Sequence, residues 1–112
     1  MKLPGRTWLA AAALAAAALS CRRQDLRTAT IAVPELKNEQ CAAIITEALQ
    51  RSQGIAPENI RVDLAARTVT VTYDSLQRAR KNLEYCIAKA GFSANEIPAD
   101  AEAAKALPPE CR

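Results

Sequence analysis

Two hydrophobic periodicities alternate along this chain, and their order limits the possible folds more than any other feature of the sequence. Apolar residues occupy every second position in residues 28–33, 60–64 and 68–73, which predicts three strands with one buried face each. A weaker fourth strand is predicted at residues 92–97. Because only one face of each strand is apolar, we expect a four-stranded antiparallel sheet that is covered on a single side.

Two further segments, residues 39–52 and 74–90, repeat apolar residues at helical spacing. Asn38 is the predicted N-cap of the first helix and Gly54 its stop, and Asp74 is a predicted cap of the second. The resulting order is βαββαβ. It predicts an α+β fold of the ferredoxin-like type, with two helices on one face of the sheet.

The segment that follows the predicted domain, residues 98–112, is expected to form a C-terminal tail. Asp100 can cap a short alanine-rich helix there, and two prolines end it. A short helix followed by four extended residues covers about 24 Å, which is enough to lead Cys111 back across the domain. We therefore expect Cys111 to lie near Cys41 or Cys86.

The first twenty residues have the pattern of an export signal. Lys2 and Arg6 precede an uninterrupted apolar run, residues 8–19, which is shorter than the roughly 20 residues that a spanning helix needs. We expect residues 1–20 to be removed and the mature chain to begin at Cys21.

A cysteine directly after such a run suggests a lipid anchor. The small residue Ser20 before Cys21 resembles a bacterial lipoprotein box, in which the cysteine is lipidated after cleavage. Ala18 and Ser20 also fit ordinary signal cleavage, so export with a free Cys21 stays open. Residues 21–27 are polar and are expected to form a tether that leads into the domain at 28–97.

The composition excludes several classes of function. The formal net charge of +3 includes Lys2 and Arg6, so the mature chain is nearly neutral and has no basic face for nucleic acid. The chain has no histidine, which removes the commonest general base and the commonest metal ligand. We expect no enzyme, and any soft-ligand chemistry must come from cysteine.

Cys41 is the cysteine best placed for such chemistry. It falls in the first turn of the predicted helix, where unpaired N–H groups and the helix dipole favour the thiolate. The alternative is that Cys41 simply belongs to the apolar stripe with Ile45 and Ala48.

Three features carry a family likeness: Pro34 before the loop, Cys41 in the first turn of the first predicted helix, and the pair Gly91-Phe92 after the second helix. Residues 28–97 resemble the heavy-metal-associated domain, the fold of copper chaperones, periplasmic mercury scavengers and the amino-terminal modules of metal-pumping ATPases. The resemblance implies that Phe92 packs beside the metal loop.

The family motif is a small-Met-x-Cys-x-x-Cys loop, and this sequence departs from it. Cys41 falls on the second cysteine, whereas Asn38 falls on the first and Leu36 on the methionine. An amide is no soft ligand, so the resemblance transfers only Cys41 as a metal ligand. Cys86 and Cys111 are candidates for the missing sulfur, although a buried core thiol is the simpler explanation of Cys86.

Two functions follow as hypotheses. The first is a module of the periplasm or cell envelope, anchored through Cys21, that binds Cu(I), Hg(II) or Zn(II) through Cys41 with Cys111 and Cys86. Its partner would be a metal-transporting ATPase or another metal transporter, and it would touch the membrane only through its lipid. The second is a metal-free structural or interaction domain of the same fold, stapled by a disulfide to Cys111.

Overall fold

The computed structural model describes residues 23–112, so the predicted signal, Cys21 and the start of the tether lie outside the described residues. Within that range, no helix is long and apolar enough to cross a membrane. The elements in chain order are β1 (Leu26–Ala32), α1 (Glu39–Gln53), a 3₁₀ turn (Pro57–Asn59), β2 (Ile60–Asp63), β3 (Thr68–Asp74), α2 (Arg80–Lys89), α3 (Ala101–Ala106) and a second 3₁₀ turn (Pro109–Cys111).

The sheet is antiparallel, with β3 between β1 and β2. Val69, Val71 and Tyr73 of β3 are buried, while the threonines between them lie on the opposite face. The buried strand residues join α1 and α2 in one hydrophobic core. The predicted α+β ferredoxin-like fold is confirmed, with helices on one side of the sheet.

The predicted fourth strand at 92–97 is wrong. That segment is a turn with a single antiparallel bridge between Ala94 and Ile97, because Asn95 adopts a left-handed conformation at φ 54°. Asn95 nevertheless bonds to the edge of the sheet. Its N–H donates to the Ala32 carbonyl, and its side-chain oxygen accepts from the Ala32 N–H, both at 2.9 Å. Asn95 therefore pairs with the backbone N–H and carbonyl at the end of β1, which a fourth strand would otherwise do.

The start of the second helix also differs from its prediction, since α2 begins at Arg80. The Asp74 carbonyl accepts from Gln77 and Arg78 in a turn, and the Asp74 carboxylate accepts from the Leu76 N–H, so Asp74 stabilises the turn rather than capping α2. Leu76, which the helical spacing places on the buried stripe, is 61% exposed as a result.

The tail folds back over the domain. Asp100 caps α3 as predicted, accepting from the Ala103 N–H at 3.0 Å, and the Asp100 N–H donates to the carbonyl of Ala88 in α2. Leu107 then enters the core, with 6% of its surface exposed. The tail is thus part of the packed domain.

Candidate metal centre

The loop after β1 leads into α1, and a side chain caps the first turn of this helix. Asn38 has an extended backbone, and its side-chain oxygen accepts a hydrogen bond from the Cys41 N–H at 3.0 Å. Asn38 is therefore the N-cap of α1, as predicted. Because Asn38 satisfies the Cys41 amide, the residue at the family's first cysteine position has a structural role here.

Replacing Asn38 by alanine is expected to lower the free energy of unfolding by about 1 kcal/mol, because the first turn of α1 loses its side-chain acceptor. Chemical denaturation of the oxidised protein measures this change. Asn38→Ser, which keeps an acceptor, is the control and should cost less than half as much. Equal losses in the two variants would contradict a capping role.

Cys41 is joined to Cys111 by a disulfide that connects the first turn of α1 to the second 3₁₀ turn. The two Cα atoms are 5.7 Å apart, the residues are separated by 70 positions, and both side chains are fully buried. The tail thus returns Cys111 to Cys41, as its length predicts, and the two sulfurs meet as a covalent pair.

Leu36 and Phe92 belong to the same hydrophobic core as this pair, and both are fully buried. Ser93, the neighbour of Phe92, donates through its N–H and its hydroxyl to one oxygen of the Glu35 carboxylate, at 2.6 and 2.5 Å. The Phe92 segment is therefore fixed to the loop that precedes Cys41. This contact is not predictable from the sequence, since Glu35 and Ser93 are far apart in the chain and neither has a distinctive pattern around it.

Cys86 does not join the pair. It is the free cysteine of residues 23–112, it is buried, and its thiol interacts with the side chain of Ser52 near the C-terminal end of α1. Eleven residues of helix separate Ser52 from Cys41, a rise of about 16 Å. Burial raises the pKa of the Cys86 thiol, with Ser52 and Lys89 acting weakly in the opposite direction. Cys86 is thus a protonated core thiol, as the alternative interpretation has it.

Within the part of the chain that the structure describes, the site consists of two sulfurs without a third side-chain ligand. Nowhere in residues 23–112 do three cysteine, aspartate or glutamate side chains come together as a group that could hold a metal ion. In the oxidised state both sulfurs are bonded to each other and supply no thiolate. After reduction the same position would hold two thiols at the N-terminus of α1, where the helix dipole favours their ionised form.

The fold and the position of Cys41 define a small ferredoxin-like domain with a cysteine in the first turn of its first helix. The sequence model of the heavy-metal-associated domain matches residues 30–93, more than half of the chain. The chain belongs to the heavy-metal-associated domain family. Among curated proteins, no sequence match to the chain was found.

Solved structures have the same fold. Oxidized MerP from Ralstonia metallidurans CH34 is 22% identical with a TM-score of 0.57, and the match covers 63% of this chain and 96% of MerP. A ZiaAN mutant solved by NMR is 32% identical with a TM-score of 0.53, covering 64% of this chain and 99% of its own. The copper chaperone Atx1 from Synechocystis PCC6803 is 25% identical with a TM-score of 0.48, covering 60% and 98%.

Proposed function

We propose that this protein is an exported module of the cell envelope that binds a soft metal ion through the thiolates of Cys41 and Cys111 after their disulfide is reduced. The observation that carries the proposal is the meeting of these two sulfurs at the first turn of α1. Cys41 occupies the family's second cysteine position, and Cys111 supplies from the tail the sulfur that Asn38 does not.

The geometry of the pair suits a two-coordinate ion. Two sulfurs on one ion, each at about 2.3 Å, lie at most about 4.6 Å apart. With the Cα atoms 5.7 Å apart, rotation of both side chains and a small shift of the tail reach that separation. Two thiolates without nitrogen or oxygen ligands favour Cu(I) and Hg(II), and Zn(II) would need water or a partner to complete its shell.

The proposed setting follows from the sequence and the family. Export through residues 1–20 and lipidation at Cys21 would hold the domain at a membrane surface, where a metal-transporting ATPase or another transporter could receive the ion. The role proposed is capture and transfer, without catalysis.

A second candidate is a metal-free interaction domain stapled by the same disulfide. The observation that favours it is the complete burial of both sulfurs, which makes the pair part of the core. The two candidate functions differ in what the reduced protein does, because only in the first do the separated thiols bind a metal ion.

Anaerobic titration of the reduced protein with Cu(I), Hg(II) and Zn(II) tests the proposal, with all chains carrying Cys21→Ser so that Cys21 cannot bind metal. Cys41→Ser and Cys111→Ser should each weaken Cu(I) binding at least 100-fold, since even loss of an outer-shell contact costs roughly 10- to 100-fold. Cys86→Ser is the matched control and should bind Cu(I) within about threefold of the parent. A parent that binds no more tightly than Cys41→Ser would contradict the proposal and favour the metal-free domain.

A rescue variant tests the assignment of Asn38 to the lost ligand position. Adding Asn38→Cys to Cys111→Ser places two cysteines three residues apart at the start of α1. This double variant should bind Cu(I) at least tenfold more tightly than Cys111→Ser alone. Helix capping should weaken by about 1 kcal/mol in the same variant. The same titration measures the rescue, with Asn38→Ser in the Cys111→Ser chain as the control. Equal affinities of these two chains would show that the loop does not adopt a metal-binding conformation.

A further inference from the structure

The C-terminal tail, residues 98–112, lies outside the domain that this chain shares with its family. The family match ends at residue 93, and the aligned structures are covered almost completely by less than two thirds of this chain. Residues 98–112 nevertheless contain Cys111, one of the two sulfurs of the site. A segment outside the shared fold thus reaches Cys41 in the first turn of α1.

The first part of the tail is held by packing. The Asp100 N–H is bonded to the Ala88 carbonyl at 2.9 Å, and the backbone of Ala103 and Ala104 lies directly over Gly91. Leu107 is buried in the core. None of these contacts involves a sulfur atom, so none of them depends directly on the disulfide.

The last part of the tail is held differently. Beyond Leu107 the chain is extended through Pro108 and then forms the second 3₁₀ turn. The Cys111 N–H bonds to Pro108, and the Arg112 side chain bonds to Leu107, so these contacts stay within the tail.

Besides the packing of the Cys111 side chain in the core, three contacts connect this part to the domain. They are the Cys41–Cys111 disulfide, a contact of 3.9 Å between the Cys41 sulfur and the Glu110 carbonyl, and an exposed hydrogen bond of 2.6 Å from the Lys37 ammonium to the Arg112 carbonyl. An exposed hydrogen bond from a lysine fixes little on its own. The disulfide is therefore the main fastening of the last five residues.

We propose that residues 108–112 are a redox-latched strap, fastened over Cys41 by the disulfide and hinged at Leu107. Opening needs a dithiol reductant. The reductant transfers two electrons and two protons to the sulfur–sulfur bond, its own thiols join as a disulfide, and Cys41 and Cys111 become free thiols. The strap then swings out on the docked α3 and uncovers the Cys41 thiol.

The strap also deepens the proposed function and in this respect rests on it. A metal ion bound by both thiolates would refasten the strap, so the site would have a locked state, an open state and a loaded state. The locked state admits no metal, because its two sulfurs are bonded to each other.

Backbone ¹⁵N relaxation of the whole protein tests the strap in the oxidised state, the dithiothreitol-reduced state and the reduced state with Cu(I). In the oxidised state the amides of Leu107, Cys111 and Arg112 should have order parameters near the rigid value of about 0.85. Reduction should lower Cys111 and Arg112 below about 0.6 and leave Leu107 rigid. Cys111→Ser should give the open pattern with or without reductant, and Cys86→Ser should respond as the parent does.

The two proposals fail in different ways. Rigid Cys111 and Arg112 amides after reduction would overturn the strap, as would a loss of order at Leu107, which would place the hinge elsewhere. If reduction frees the strap but Cu(I) does not restore its order, the strap stands and Cys111 is not a metal ligand. If Cu(I) restores the order, both proposals gain support.

Discussion

Replacing Cys111 by alanine is expected to lower the free energy of unfolding by about 4 kcal/mol. The disulfide closes a loop of 70 residues, and the chain-entropy relation for a loop of that size gives about this value. A small domain has about 5–15 kcal/mol of stability in total, so the variant would keep only a part of it. Urea denaturation of the oxidised proteins measures the difference.

Reductant provides the internal control for this prediction. The parent protein in dithiothreitol should unfold at nearly the denaturant concentration of Cys111→Ala, and the variant itself should not respond to reductant. Cys86→Ala is the matched substitution of a buried cysteine that is outside the disulfide, and should cost about 1 kcal/mol through lost packing. A parent whose stability is unchanged by reduction would show that the tail is held by its packing alone.

Gly91→Ala is expected to cost about 3–5 kcal/mol, because two separate penalties act at this position. Gly91 has φ +106°, a conformation that side chains rarely adopt, and a Cβ there would meet the backbone of Ala103 and Ala104 at 3.0 Å. Backbone atoms of α3 cannot rotate away as a flexible side chain would, so the tail must shift. Thermal unfolding, together with the amide protection of α3, measures the effect.

Gly54→Ala measures the cost of the backbone conformation alone, without a steric clash. Gly54 ends α1 in the left-handed conformation at φ +64°, but nothing lies within 4 Å of the position of its Cβ. Its replacement should therefore cost only about 1–2 kcal/mol and leave the protection of α3 unchanged. If Gly91→Ala costs no more than Gly54→Ala, the tail is not packed against Gly91 in solution.

The features that the sequence predicts correctly depend on neighbours along the chain. The alternation of threonine with valine in β3 and the cap of α1 at Asn38 are local patterns, and both are found at the predicted positions. Asp100 at the start of α3 is a third case. In each of these the physical cause of the structure lies within a few residues.

The errors arise where distant residues compete with a local pattern. Residues 92–97 look like a strand, but Asn95 makes two hydrogen bonds to Ala32, 63 residues away, and those bonds fix a turn. The predicted start of α2 at Asp74 is wrong for a related reason. The Asp74 carboxylate also accepts a hydrogen bond from the Asp25 N–H, which links the end of β3 to the residue before β1.

The sequence narrows the candidate site to a few cysteines but does not determine which two of them meet. Local position singled out Cys41, and the length of the tail allowed Cys111 to return, but neither distinguishes Cys41 from Cys86 as its neighbour. That choice depends on how α1 and α2 pack, which places Cys86 beside Ser52 at the far end of α1. The contact of Glu35 with Ser93 was missed for the same reason.

The separation of 70 residues between the two sulfurs also has a consequence for the order of events during biogenesis. In an unfolded chain the effective concentration of one cysteine at another falls with the length of the loop between them, so this pair rarely meets before the domain has folded. In an exported chain, as proposed for this protein, Cys41 would cross the membrane well before Cys111. We therefore expect the disulfide to close only after both ends of the domain have folded together.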